Sequence, residues 1–435
     1  MKEPSPRNLR TQNARKGGLS PRDSHPETAF LASFPPRVCG IATFTADLAE
    51  AIDHASPLSP RSQVIAINTG SIQYPYNSRV RWTIERDHLQ SYRHAAHEIN
   101  SSQVKVVSIQ HEYGLFGGPF GEYVLSFLKE LEKPVVLTLH TVLERPDPAM
   151  RRLTEALAAA TTGVVVLAER AKRVLADYYP RVNLSQVHFI PHGTPSVTYA
   201  PPGSFKKSLG LEGRIILSTF GLLGPEKGIE YALAALPEVV RRHPDVLYLV
   251  LGETHPELRR ESGETYRKFL QKRVIELGMQ EHVRFYQQYL QQQEVIQFLQ
   301  ATDVYLLPYL NPLQIASGTL SYAVASGKAV VSTPFLHAQE LLSEGRGLLA
   351  RFRDSGSLSA AINMLLSHPN LRMQMEQAAY TYGKSMHWPA VGRAYSQLFQ
   401  RLATQEEERQ LVSRDQGFVQ PAHRAMQLDG ARRSS

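Results

Sequence analysis

Two stretches hold residues whose types and spacing suit chemistry on an anion. "QIASGTLSYAVASGKAVVSTP", Gln314 to Pro334, sets Ser317, Gly318 and Thr319 ahead of an apolar helical segment, closed by Gly-Lys before a β-branched run. Ser317 or Thr319 can cap the helix, Gly318 lets a ligand approach the backbone, and the bare amides of a helix start hold negative charge. A plain capped helix is the bland reading. "TFGLLGPEKGIEYALAAL" offers a tight turn at Gly221 and Gly224, with Lys227 near the next helix start. A lysine beside free helix amides clamps a phosphate; a surface lysine in an ordinary turn is the alternative. The spacing is neither that of a P-loop nor that of a dinucleotide fingerprint. Two anion sites at the ends of two strands of one domain suggest a diphosphate, and so a nucleotide-linked substrate.

The elements that must position these residues alternate. In the first half "AFLASF", "QVIAIN", "VKVVSIQ", "PVVLTLH", "TGVVVLA" and "VHFIPHG" read as strands, with helical patterns such as "GIATFTADLAEAIDHA" between several of them. "TPSVTYAPPGS", with Pro195, Pro201 and Pro202, reads as a linker. The alternation then restarts with "RIILSTFG", "DVLYLVLG", "HVRFYQ", "DVYLLPY", "KAVVSTP" and "RGLLARF". Continuous apolar strands alternating with helices predict parallel sheets covered on both faces. The expected fold class is α/β: two doubly wound, Rossmann-like domains facing a cleft. Ligands bind such sheets beyond the carboxyl ends of the strands.

Composition excludes several classes. The 435 residues suffice for two domains, and 42% hydrophobic with 20% charged residues is ordinary for a globular chain. Cys39 is the only cysteine, so no intrachain disulfide forms. No apolar run reaches the roughly 20 residues of a membrane span, and no apolar signal core opens the chain. The cytoplasm is the expected compartment. A net charge of +8 sits largely in the ends, read as a disordered basic tail over 1–27 and a polar tail over 404–435, with peripheral contact to an anionic membrane left open. Nothing resembles a nucleic-acid-binding motif. "HAAHE", His94 to Glu98, lacks the zinc-protease order, and no Asp-x-Asp pair stands out, so no metal and no cofactor is expected.

From Ala29 to Ala403 the register resembles the family 4 glycosyltransferases of the GT-B fold. "GLLGPEKG" looks like their Gly-Arg-Leu-x-x-x-Lys-Gly turn, "ATDVYLLPY" like their Ala-Asp-Val-x-x-x-Pro strand, and "QIASGTLSYAVASGKAVVST" followed by "HAQELL" like their donor loop. The resemblance implies an acceptor domain over 28–200, a nucleotide-sugar donor domain over 201–385, and a helix over 386–403 crossing back to the first domain. It implies a hexosyltransferase acting with retention, a front-face mechanism without metal, and, by family frequency, mannose from GDP-mannose. Lys227 would stabilise the leaving diphosphate. His140, ending "VVLTLH", would orient the sugar. Gly40, Gly221, Gln314, Ser317, Gly318, Thr319, Tyr322 and Glu340 would bind the donor. His111 and Glu112, in the glycine-rich "QHEYGLFGGPFGEY", would meet an unidentified saccharide, lipid-linked or small-molecule acceptor.

The sequence also departs from that pattern. Leu222 stands where the family has arginine, and Gln314 and Tyr322 stand where it has two glutamates eight apart. Tyrosine cannot accept both ribose hydroxyls as a charged bidentate acceptor does; Glu340 is the expected partial substitute. The departures leave open a non-catalytic GT-B scaffold that binds a nucleotide or partner, and a nucleotide-sugar epimerase.

Overall fold

Runs of Val, Ile, Leu and Ala too short for helices and apolar on both faces form strands that lie buried within a sheet. The computed structural model describes residues 26–70 and 72–417, and these build two parallel sheets. The first contains β1 (Thr28–Ala32), β2 (Gln63–Asn68), β3 (Val80–Glu85), β4 (Val106–His111), β5 (Val135–Leu139), β6 (Gly163–Val166) and β7 (Val187–Phe189), in the order β3-β2-β1-β4-β5-β6-β7. The second contains β8 (Ile215–Phe220), β9 (Val246–Leu251), β10 (Val283–Tyr286), β11 (Val304–Leu307), β12 (Ala329–Ser332) and β13 (Leu348–Leu349), in the order β10-β9-β8-β11-β12-β13. Every paired strand runs parallel to its neighbour.

Each sheet reverses its winding next to its first strand, between β1 and β4 and between β8 and β11. Loops at such a switch point diverge and leave a crevice. Four of the loops named from sequence leave these four strands: Gly40 follows β1, Glu112 follows β4, Lys227 follows β8, and Gly318 follows β11. The topology therefore gathers residues that lie far apart in sequence.

The strand β3, "VRWTIE", was not expected. It is the edge of its sheet, with exposed and half-buried residues alternating until Ile84, so it lacks the continuous apolar run of the inner strands.

Two chain crossings join the halves side by side. The amide of Thr194 donates to Met386 O at 2.8 Å, and the amide of Trp388 donates to Thr194 O at 2.8 Å. From there the helix Trp388–Gly417 returns to the first half and packs along the helix Gly40–Ala55. Gly392 permits the contact, since a Cβ there would stand 2.6 Å from Ala51 O. Phe30, Phe44, Leu48, Tyr395 and Phe399 form the shared core. The helix also outruns its expected end at 403. "TQEEERQLVSRDQ" has no apolar face but consists largely of good helix formers, so the helix continues from the packed turns. Residues 1–25 and 418–435, most of the two expected tails, lie outside the described residues.

Candidate active site

The two switch points face each other across a cavity of about 650 Å³. Gly221 and Gly252, just after β8 and β9, keep one side open. Both have positive φ, 133° and 129°, and a Cβ on Gly252 would lie 2.2 Å from Gly221 O. No other residue fits that approach.

Lys227 stands on the cavity wall at the end of a short turn, Pro225–Lys227. The turn is pinned from behind, because Gly228 has φ 62° and a Cβ there would meet Pro308 O at 2.1 Å. The ammonium lies 4.3 Å above the ring of Tyr309 and 3.7 Å from Glu226. Burial works against its charge, but Tyr309 and Glu226 outweigh burial and raise its pKa. Lys227 is thus a cation held in place by an aromatic face.

Tyr309 ties this cation to the second anion site, its hydroxyl lying 2.8 Å from Thr319 Oγ1. Thr319 and Gly318 open the helix Gly318–Ala325, and both line the cavity. Ser317 is the N-cap: its Oγ accepts from Leu320 N at 3.3 Å, and its own amide donates to His337 Nδ1 at 2.8 Å. Burial keeps His337 neutral, with a pKa near 3. Ser317 is buried and does not line the cavity, so the expected donor contact at Ser317 is replaced by a supporting role. Its cap bond goes to Leu320, past the amides of Gly318 and Thr319.

The opposite wall belongs to the first half. Gly40 opens the helix Gly40–Ala55, and a Cβ there would meet nothing within 4 Å. His140 donates from Nε2 to Gln110 Oε1 at 2.9 Å, which leaves Nδ1 as an acceptor. Burial, aided by His192 and His111, pushes its pKa down to about 3. The ring is therefore neutral, suited to hydrogen-bonding a hydroxyl rather than delivering a proton. Phe44 meets His140 edge-on at 4.8 Å and His192 at 5.0 Å.

Glu112 lines the cavity and accepts from Thr141 Oγ1 at 2.7 Å and Tyr113 N at 2.9 Å. Burial raises its pKa. His111 does not share that position. It is 1% exposed, its ring stacks on Phe116 at 6.0 Å, and neither ring nitrogen has a hydrogen-bond partner. Successive strand residues face opposite sides, which puts Glu112 on the cavity and His111 behind it. The acceptor contact expected of His111 is withdrawn.

Glu340 is the second correction. Its carboxylate does not line the cavity; it accepts from the amides of Glu169 at 3.0 Å and Arg170 at 2.8 Å. These amides start the helix Glu169–Tyr178, which has no side-chain cap of its own. These bonds hold the Glu340 carboxylate outside the cavity lining, so it is not the substitute acceptor for ribose. Gln314 and Tyr322 do line the cavity. Gln314 donates to Ala316 O at 3.0 Å, and the Tyr322 hydroxyl accepts from Gln292 Nε2 at 3.1 Å.

Sequence reasoning missed three wall residues. His192 donates from Nδ1 to Gly193 O at 2.8 Å, so its Nε2 lone pair faces Gly318; a Cβ on Gly318 would stand 3.0 Å from that nitrogen. Gln292 donates to Asp47 Oδ2 at 2.8 Å and so spans the cleft. Burial raises the pKa of Asp47 to about 6, against the opposing bond from Gln292. The strand-end signal that identified His140 also exists for His192 in "IPHG", and Asp47 lies on the helix face that carries Gly40 and Phe44.

Among the described residues, Lys227 is the one lysine or arginine on this wall. Leu222 lines the cavity where the resembled pattern has arginine, and among the described residues no arginine lines it. Of the carboxylates, Glu112 is bonded as described, Glu253 pairs with Arg259 at 3.1 Å, and Glu226 is half exposed. Among the described residues no group of three or more His, Cys, Asp or Glu is arranged to hold a metal, and no helix is long and apolar enough to cross a membrane.

Residues 203–382 match the family Glycosyl transferases group 1. The chain is 29% identical over 195 residues to a D-inositol 3-phosphate glycosyltransferase of Corynebacterium urealyticum, covering 44% of each chain. It is 30% identical over 163 residues to a phosphatidyl-myo-inositol mannosyltransferase of Mycolicibacterium smegmatis, covering 37% of this chain and 38% of that one. The chain thus spans less than half the length of these curated relatives. Among solved structures, sucrose-phosphate synthase from Thermosynechococcus elongatus superposes with a TM-score of 0.71 at 17% identity, covering 86% of this chain and 99% of that one. Anabaena HepE in complex with UDP gives 0.67 at 14% identity, covering 86% and 100%. At such identities the likeness is one of fold, and the fold is GT-B.

Proposed function

We propose that the protein is a glycosyltransferase that moves a sugar from a nucleotide-sugar donor to an acceptor held by its N-terminal half, a reading supported by the match of residues 203–382 to the Glycosyl transferases group 1 family. The observation that carries the reading is the linkage Lys227–Tyr309–Thr319, which joins a fixed cation to a helix start on one wall of the interdomain cavity. A diphosphate lying along that wall would meet positive charge at both ends. A group whose charge grows as the glycosidic bond breaks is stabilised most by donors already fixed in place.

In this reading the bond from the anomeric carbon to the donor phosphate breaks while the acceptor oxygen approaches from the same face, so configuration is retained. The acceptor proton passes to the leaving phosphate. His140 and His192, both neutral acceptors, orient sugar hydroxyls, while Gly40 leaves room beside them. Glu112 and Thr141 stand on the acceptor side. No metal is invoked, since Lys227 and the amides of Gly318 and Thr319 meet the leaving charge. Relatives named as mannosyltransferases and as an inositol glycosyltransferase support mannose as the sugar and a polyol as the acceptor. A cytoplasmic protein touching anionic membrane at its surface fits such an acceptor.

Donor hydrolysis and transfer assays with GDP-mannose and UDP-glucose, with and without myo-inositol, test the reading. Acceptor-dependent release of nucleoside diphosphate supports it. Nucleotide binding with no turnover on any acceptor would favour a non-catalytic scaffold, and conversion of the sugar without release would favour an epimerase.

A further inference from the structure

We propose that Asp47, steered by Gln292, accepts the ribose hydroxyls of the bound nucleotide, so that donor recognition is completed by a carboxylate from the N-terminal half. The inference rests on the nucleotide-sugar reading above and specifies which groups read the ribose.

Distance along one helix locates the ribose. The helix Gly318–Ala325 presents its anion-holding start at Gly318, and Tyr322 follows one turn later, about 6 Å further along the axis. That is the step from a phosphate to the sugar attached to it. Apolar and aromatic side chains share the cavity wall with Tyr322: Phe220, whose ring lies 6.0 Å from that of Tyr322, and Leu251, Tyr289 and Leu290. Such a surface suits a base. The ribose therefore falls beside Tyr322, Gln292 and Asp47.

Hydrogen-bond capacity then selects among these three. A vicinal diol offers two O–H donors, which a carboxylate accepts best. The Tyr322 hydroxyl already accepts from Gln292. Both donors of the Gln292 amide are in use, one to Tyr322 and one to Asp47 Oδ2. Asp47 is the acid that Gln292 holds, and Gln292 occupies only its Oδ2. The buried indole N–H of Trp388 closes no hydrogen bond of good geometry, yet it lies near enough to this carboxylate to favour its charge, so ribose and indole would share the remaining acceptor capacity. The contact spans 245 residues of sequence, so ribose binding would also draw the two halves together.

The test is isothermal titration of the full chain with UDP and GDP and with their 2′-deoxy forms, on the parent protein and on Asp47→Asn. Charge-assisted hydrogen bonds contribute about 1.5–3 kcal/mol, so the parent should prefer the ribonucleotide about tenfold or more. Asp47→Asn should lose most of that preference while binding the 2′-deoxy form as the parent does. Two outcomes would overturn the inference: a variant that keeps the preference, or one that weakens ribo and deoxy forms equally, which is the behaviour of a mere interdomain latch. Gln292→Leu, which removes the steering amide and leaves the acid, should reduce the preference in part; an unchanged preference there removes Gln292 from the account. If the parent binds neither UDP nor GDP, the nucleotide-sugar reading itself fails, and this inference falls with it.

Discussion

Glu340 and Arg170 belong to opposite halves of the molecule, yet the Glu340 carboxylate accepts the Arg170 backbone amide at 2.8 Å. With the second bond, from the Glu169 amide, it caps a helix that has no cap of its own. A carboxylate at a helix start gains from both the amides and the dipole. Glu340→Ala should cost about 1 kcal/mol and speed hydrogen exchange at the amides of Glu169 and Arg170. Unchanged exchange there would show that the cap does not persist in solution.

Lys227→Ala should slow sugar transfer by a factor on the order of 100–1000, as loss of one fixed transition-state donor does. Melting temperature should change little, because the ammonium lies at the cavity wall rather than in a packed core. Near-normal turnover would mean that the leaving group is stabilised elsewhere.

Gly318 is open to substitution on backbone grounds but not on spatial ones. A Cβ would press on His192 Nε2 at 3.0 Å, so Gly318→Ala should weaken donor binding modestly by moving that ring. Gly318→Asp adds a carboxylate where the phosphate would sit and removes an anion–helix interaction of up to about 2 kcal/mol. Titration with UDP or GDP should show at least a tenfold loss for Asp. Equal affinity for Asp and parent would reduce this stretch to an ordinary capped helix.

Acid should destabilise the fold. Burial lowers the pKa of His111 and His192 to about 4 and of His140 and His337 to about 3. An unfolded histidine titrates near 6.5. Between about pH 4 and 6.5 the unfolded chain therefore binds more protons than the folded one, and stability falls as pH falls, by up to about 1.4 kcal/mol per pH unit for each group. The stabilisation is fully present above pH 6.5. Asp47 opposes this: with its pKa raised from 3.8 to about 6, its contribution declines as pH rises through 6. One acid against four histidines leaves the histidines dominant. Urea unfolding measured from pH 4 to 7 should show stability climbing; a flat profile would mean that these rings reach water.

Much of this architecture is legible in the sequence. The inner strands are read because burial on both faces imposes continuous apolar runs, and Lys227, Gly221 and Gly318 because tight turns and helix starts demand particular residues. The edge strand β3 is not, since water covers one of its faces. Pairings across the cleft are not legible either: nothing local in "ADLAEA" or "QQQEVIQ" announces the bond from Gln292 to Asp47. Glu340 shows the converse error. Its type fits a hydroxyl acceptor, but only the juxtaposition of the halves reveals that two backbone amides already hold it.

The most direct measurement is acceptor-dependent release of nucleoside diphosphate by the full-length protein, with the anomeric proton of the product followed by NMR. The account predicts release with at least one sugar nucleotide when a polyol acceptor is present, an axial anomeric linkage retained from an axial donor, and a loss on the order of 100-fold or more in Lys227→Ala. Tight nucleotide binding without any transfer, or transfer that is indifferent to Lys227, would contradict it.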